Sequence, residues 1–167
     1  MTIISDALPP IRPASHLYDH LGYWHNRFGQ AVHTSLDRRL AAADITVSQW
    51  SVMILLYHRR ADTVRDIARI IDLDAGAVTR LADRLEKKGY LRRTPDLSDR
   101  RSVLLNLTGS GRRLVPDLAV VVDGNDRAFF GVLTRDEIHQ YQSILGKLLR
   151  SADISPPAGW SGREGGR

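Results

Sequence analysis

At 167 residues with 43% hydrophobic side chains, the chain has the length for one ordinary domain and is short for two. It contains no cysteine, which excludes disulfide staples, thiolate metal sites and a cysteine redox switch, and it fits a reducing interior. The formal charge is +5 at pH 7; no apolar run approaches a membrane span and no basic region followed by an apolar core opens the chain, so neither insertion nor secretion is indicated, and a cytoplasmic location is expected.

Residues 1–14 contain Pro9, Pro10 and Pro13 and read as a flexible arm. Helical periodicity begins after Ser15, where Leu17, Leu21, Trp24, Phe28, Ala31 and Ser35 fall on one stripe running to about Ala42. Such a stripe serves a core or a subunit contact. His16 and His20 stand at i, i+4, a spacing that can chelate a metal. No thiolate or well-placed carboxylate completes a set, Asp19 being the only acid nearby, so polar surface is the competing reading and no metal or cofactor is assigned. Thr46 or Ser48 then caps a helix to about Arg59, with Val47, Trp50, Met53, Ile54 and Tyr57 as its apolar set.

The central stretch runs from Thr63 to Thr108. Thr63 is an N-cap residue, and Val64, Ile67, Ala68 and Ile71 follow at helical spacing. Asp72 and Leu73 make a turn, and Asp74 caps a second helix whose buried side reads Val78, Leu81, Ala82 and Leu85 before Gly89 ends it. The opposite side carries Thr79, Arg80, Asp83, Arg84 and Lys87, while Gly76 and Ala77 are small enough to let the leading end approach a surface closely. A packed back, a polar front and an unobstructed end suit a helix that enters the major groove of DNA; for this helix alone, an amphipathic surface helix with solvated charges fits as well.

The next segment favours the first reading. Tyr90–Arg93 and Ser102–Leu107 read as two short strands joined by Thr-Pro-Asp-Leu-Ser-Asp-Arg-Arg. Arg100 and Arg101 at the tip of a slim ribbon suit a narrow minor groove, and Asp99 is spaced to brace the turn through Arg101. Residues 76–113 hold ten basic and four acidic side chains, a net of +6, so the rest of the chain sums to about −1 against the total of +5. A basic surface confined to one part of a protein is a footprint for a polyanion.

After this hairpin, Thr108 caps a long helix with Leu114, Leu118, Val121 and Val122, in which Pro116 falls within the opening turns or forces a mild kink and Gly124, Asn125 and Gly131 weaken the interior. Thr134 caps the last helix, with Ile138, Tyr141, Leu145, Leu148 and Leu149. These two helices carry more apolar surface than a peripheral helix needs, which points to a second copy of the chain as partner. The Pro/Gly-rich tail from Ser151 reads as disordered.

Asp74 to Gly89, the Asp99-Arg100-Arg101 wing and Leu105-Asn-Leu-Thr108 with Gly111 together resemble the multiple antibiotic resistance regulator (MarR) family of bacterial transcription factors, over roughly residues 17–150. The resemblance implies a mainly α fold with a small β-hairpin wing, a winged helix-turn-helix plus a helical dimerisation region. The DNA-binding lobe would span about 46–108 and the dimerisation helices about 15–42 and 109–150, all within one domain over 15–150. The implied function is a homodimeric repressor on a pseudo-palindromic double-stranded operator, contacted by Gly76, Ala77, Thr79, Arg80, Asp83, Arg84, Lys87, Arg100 and Arg101. In proteins of this kind a small aromatic or phenolic anion binds between the dimer helices and the DNA lobe. Tyr23, Trp24, Arg27, Trp50 and Met53 are the candidates for such a pocket, set against core packing for Trp24, Trp50 and Met53. A ligand-independent DNA-binding or architectural protein of the same fold is the alternative, because an effector pocket leaves no firm signature. No Gly-rich phosphate loop, His-Glu-x-x-His or Gly-x-Ser-x-Gly is present, and no enzymatic role is expected.

Overall fold

The structure is a computed structural model and describes residues 14–96 and 103–154. The arm over 1–13, the wing-tip residues Asp99, Arg100 and Arg101, and the tail from 155 lie outside the described residues. The chain divides into two compact units, Met1–Ala31 and Val32–Arg167.

In the first unit the uninterrupted helix expected after Ser15 is broken. Leu17–Asp19 forms a single 3₁₀ turn, His20 is extended, and α1, Leu21–Leu40, begins only beyond it. Local side-chain bonds give this backbone an alternative to the helix: the Asp19 carboxylate accepts from the His16 N–H at 2.9 Å, and the Ser15 hydroxyl meets His20 Nε2 at 3.1 Å. Leu17, Leu21, Trp24 and Phe28 are all exposed. The core reading of Trp24 is therefore corrected, since half of the residue is open to solvent.

The second unit begins within α1. Ala41–Ala43 tightens into a 3₁₀ turn and Asp44, at φ 54°, turns the chain into α2, Val47–Tyr57. Thr46 is the cap: its hydroxyl accepts from Gln49 N at 3.2 Å, and the Gln49 side chain accepts from Thr46 N at 3.1 Å. That reciprocal box explains how a glutamine is tolerated in a buried position. α3, Val64–Ile71, is capped by Thr63, and Asp72 in the left-handed region (φ 53°) redirects the chain. Asp74 then accepts from Ala77 N at 2.8 Å and opens α4, Ala75–Lys87.

The buried residues of α4 are Val78, Leu81, Ala82 and Leu85, the four that the apolar spacing singled out. Its C-terminus closes in a Schellman arrangement, with Tyr90 N donating to Leu85 O at 3.0 Å, Gly89 N to Glu86 O at 2.9 Å, and Gly89 at φ 73°. β1, Leu91–Pro95, then pairs antiparallel with β2, Val103–Leu107, from Leu91 opposite Leu107 to Pro95 opposite Val103. The first strand extends two residues past the Arg93 limit read from the sequence. Proline is tolerated there because β1 is an edge: β2 is paired on its other side through a Thr63–Leu104 bridge and a 2.7 Å bond from Leu105 N to Asp62 O.

α5, Gly109–Phe130, runs unbroken through Pro116, Gly124 and Asn125. Asn125 is buried and its amide donates to Val32 O at 3.3 Å, a tertiary bond that offsets weak local propensity. α6, Arg135–Ser151, is capped by Thr134 and Glu137 in a second reciprocal box. The backbone N–H and then the hydroxyl of Thr134 hold the Glu137 carboxyl below its ordinary range.

One core joins α2, α3, α4, both strands and α5, with Val52, Met53, Ile67, Val78, Leu85, Leu105 and Val115 at its centre. Burying each such side chain stabilises the fold by about 1.5–3 kcal/mol. The apolar stripe of α5 belongs to this core: Leu118 is buried and Leu114, Val121 and Val122 pack against it. The stripe of α6 does not. Tyr141, Ile144 and Leu148 are exposed and Ile138, Leu145 and Leu149 only partly covered, so the unpartnered apolar surface expected on both helices is concentrated on the last one.

Candidate nucleic-acid interface

α4 is held by its back. With its apolar face seated in the core, Gly76, Thr79, Arg80, Arg84 and Lys87 are exposed along the opposite side, and Ala77 and Asp83 are half-buried. The leading turn is closely surrounded by its own side chains: a Cβ on Gly76 would lie 3.0 Å from the Asp74 carboxylate and 3.4 Å from an Arg80 guanidinium nitrogen, so glycine fits there without displacing either. The Thr79 hydroxyl donates to Ala75 O at 2.8 Å, so its one proton is engaged within the helix.

The C-terminal end of α4 is tied by ion pairs to other elements. Arg93 on β1 reaches two carboxylates of α4, donating from Nη2 to Asp83 at 2.7 Å and from Nη1 to Glu86. Lys88, the residue capping α4, pairs with the Asp44 carboxylate at 2.9 Å and donates to the Asp44 carbonyl. Neither tie was singled out from the sequence. Arg93 had a signal, since a strand that follows a helix directly can present side chains back to it; Lys88 and Asp44 are 44 positions apart and had none.

The entry into α5 locks the base of the hairpin. The hydroxyls of Thr108 and Ser110 both donate to Gly89 O, at 2.6 and 2.8 Å, and Thr108 N donates to Tyr90 O at 3.0 Å. Gly111 packs so closely that a Cβ there would stand 2.2 Å from Tyr90 O. The Leu-Thr-x-x-Gly pattern is thus the residue set that allows α5 to begin against the turn between α4 and β1. Across the hairpin, the Asn106 amide donates to the Thr94 hydroxyl at 3.0 Å.

A helix with its back packed into a helical base, an exposed cationic front and a two-stranded hairpin after it has the arrangement of a winged helix-turn-helix. The MarR-family model matches residues 45–103, which span α2 to the start of β2. The multiple antibiotic resistance protein MarR of Escherichia coli K12 is 32% identical over 116 residues, covering 68% of this chain and 80% of that protein. The chain belongs to the MarR family. Among solved structures, a Cys-to-Ser variant of E. coli MarR complexed with operator DNA superposes with a TM-score of 0.73 at 29% identity, covering 81% of this chain and 99% of the other. CouR from Rhodococcus jostii RHA1, bound to p-coumaroyl-CoA, gives a TM-score of 0.72 at 29% identity, over 81% of this chain and 95% of that one.

The candidate pocket residues fall into two groups. Trp50 and Met53 are buried in the α2 core of the second unit, so for them core packing is what the structure displays. Tyr23, Trp24 and Arg27 form a cluster in the first unit with Tyr18. The Trp24 indole donates to Tyr18 O at 2.9 Å, the Tyr23 and Trp24 rings meet edge-on at 5.1 Å, and Arg27 donates to the Tyr23 hydroxyl at 3.1 Å. Among the described residues no group of three His, Asp or Glu side chains converges as metal ligands would, and no single helix is long and apolar enough to cross a membrane.

Proposed function

We propose that this MarR-family regulator is a homodimer that binds a pseudo-palindromic double-stranded operator and acts as a repressor. The observation that carries the reading is α4 itself, with four residues buried behind it and Arg80, Arg84 and Lys87 exposed in front. Such a helix presents hydrogen-bond donors to base edges and phosphates, and a two-fold dimer sets two of them about one helical turn of DNA apart. Gly76, Ala77 and Thr79 would bring the leading end close to the bases; Arg100 and Arg101, outside the described residues, are assigned to a flanking minor groove, and Asp99 is assigned as a brace for Arg101. Asp83 enters this surface as a paired group, because its carboxylate is already engaged by Arg93.

The domain plan rests on the same residues. A DNA-binding lobe over about 46–108 lies between dimerisation segments at about 15–42 and 109–150 of one domain, with terminal arms at 1–14 and 151–167. The reading assigns the chain no enzymatic activity and no cofactor, and it places its work beside DNA in the cytoplasm. E. coli MarR has been captured with operator DNA and CouR with an aromatic thioester, and a small aromatic effector is the partner that this likeness favours for release. The exposed cluster of Tyr23, Trp24 and Arg27 supports that reading, since it offers ring faces beside a guanidinium. The alternative, a ligand-independent DNA-binding protein of the same fold, differs only in lacking this release.

The test is selection of duplexes from a random pool, followed by anisotropy titration of the enriched sequence against a scrambled one. Preference for a two-fold-symmetric sequence is expected; equal affinity for every duplex would overturn the operator reading. Thermal shift with aromatic carboxylates then separates the two versions, because an effector that binds the folded state stabilises it by mass action.

A further inference from the structure

We infer that Arg93 is a positioning residue of the DNA-reading surface, holding the carboxylates of Asp83 and Glu86 against β1 so that the cations of α4 alone confront the duplex. This rests on the reading of α4 as a DNA-binding helix. α4 carries three cations, Arg80, Arg84 and Lys87, and two carboxylates, Asp83 and Glu86. Left to itself, a helix of this composition pairs its own charges. Asp83 stands at i, i+4 to Lys87 and at i, i+3 from Arg80, spacings at which side chains on a helix meet, and an acid N-terminal to a base is the favoured order. Each such pair would occupy a cation that a phosphate or a base edge needs.

Arg93 removes that competition from outside the helix. Its guanidinium spans both acids, Nη2 on Asp83 at 2.7 Å and Nη1 on Glu86, from a side chain only 27% exposed. The planar fork can donate to two separate carboxylates at once, whereas the single ammonium of a lysine is a point charge. Its place on β1 is fixed by the ladder, opposite Leu105, whose side chain is in the core. The brace therefore also sets the wing strand against the reading helix. The same contacts set one positive charge between two carboxylates and so offset half of the negative charge that would otherwise face the phosphates.

The experiment is a double-mutant cycle on the full-length protein, read by anisotropy with a duplex enriched by this protein and with a scrambled duplex, each at two salt concentrations. Arg93→Met is expected to weaken binding about tenfold in the wild-type background, as for closely coupled charges. In an Asp83→Asn/Glu86→Gln background the same substitution is expected to cost less than about threefold, because no carboxylate remains to be held. Arg93→Lys is expected to fall between, and circular dichroism melting establishes that each variant is folded. The doubly neutralised background keeps the test available even if Arg93→Met alone unfolds, since it leaves no unpaired charge behind.

Equal losses in both backgrounds, with the salt slope lowered by about one per subunit, would show that Arg93 touches phosphate directly and would overturn the proposal. Loss of thermal stability with unchanged affinity would reduce Arg93 to a structural tie and overturn it as well. Failure of the wild-type protein to bind any duplex would remove the DNA reading first, and this inference with it.

Discussion

Replacing Gly111 by alanine sets two effects of similar size against each other, and the geometry decides between them. Alanine is favoured over glycine inside a helix by about 1 kcal/mol, so local propensity predicts stabilisation. The added Cβ, however, would stand 2.2 Å from Tyr90 O and 3.1 Å from Tyr90 C, where carbon contacts are comfortable only at about 3.5–4 Å. That carbonyl cannot retreat cheaply, because it accepts from Thr108 N while the neighbouring Gly89 carbonyl accepts from Thr108 and Ser110. Relief requires the first turn of α5 to move off by roughly an ångström. Overpacking of this kind costs about 1–3 kcal/mol, and each loosened hydrogen bond about 0.5–1.5 kcal/mol more. With propensity subtracted, the net loss is about 2 kcal/mol. In a protein of this size that lowers the Tm by about 4–8 °C, measured by calorimetry at fixed protein concentration. An unchanged or raised Tm would mean that the contact between α5 and the α4–β1 turn is not rigid.

Arg80→Ala and Arg84→Ala are expected to lose about 1–3 kcal/mol of discrimination between the enriched and scrambled duplexes, while Lys87→Ala weakens both alike; equal losses on both duplexes for the arginine variants would misplace α4. Light scattering at micromolar concentration is expected to give the mass of a dimer, because Tyr141, Ile144 and Leu148 are otherwise left open on α6; a folded monomer would refute this. Partial desolvation of an otherwise exposed side chain, and then the charge of Asp123, raises the carboxyl of Asp126 above its ordinary value. A raised acid favours the folded state when protonated, so its contribution is present at acid pH and lost as pH climbs through the folded value. Asp126→Asn is accordingly expected to raise the Tm at neutral pH and to lose that advantage in acid; the same gain at both would point to another cause.

Much of the lobe was legible because its signals are local. Val78, Leu81, Ala82 and Leu85 repeat at the helical period, Asp74 and Thr108 cap with side chains that their own helices need, and Gly89 supplies the positive φ that a Schellman end requires. The misreadings arose where tertiary or competing local bonds prevailed. Leu17 keeps the apolar period of α1, yet the Asp19 and Ser15 side chains close a separate turn and His20 leaves the helix. The sequence made Trp24 and Trp50 look alike, but only Trp50 lies in the buried core. On the candidate interface, the exposed cations of α4 could be read from spacing alone. The roles of Asp83 and Glu86 could not, because they depend on where β1 returns Arg93.

The same contrast bears on how the reading head is oriented. Apolar burial fixes that α4 exists and which side faces inward, since four buried residues leave no other rotation open. It says less about the tilt of the helix relative to the wing and to the end of α1. Arg93 on Asp83 and Glu86 and Lys88 on Asp44 add ties across them, ion pairs whose acids are 40–89% exposed. Pairs this open are worth about 0–1 kcal/mol each and are weakened by salt. They contribute little to the stability of the fold, so screening them changes how the cations of α4 are presented without unfolding the protein. A surface built in this way has its position held by the core and is further tied by screened charges. Salt therefore acts on it twice, once through counterion release at the phosphates and once through the ties that hold α4 in line with the wing.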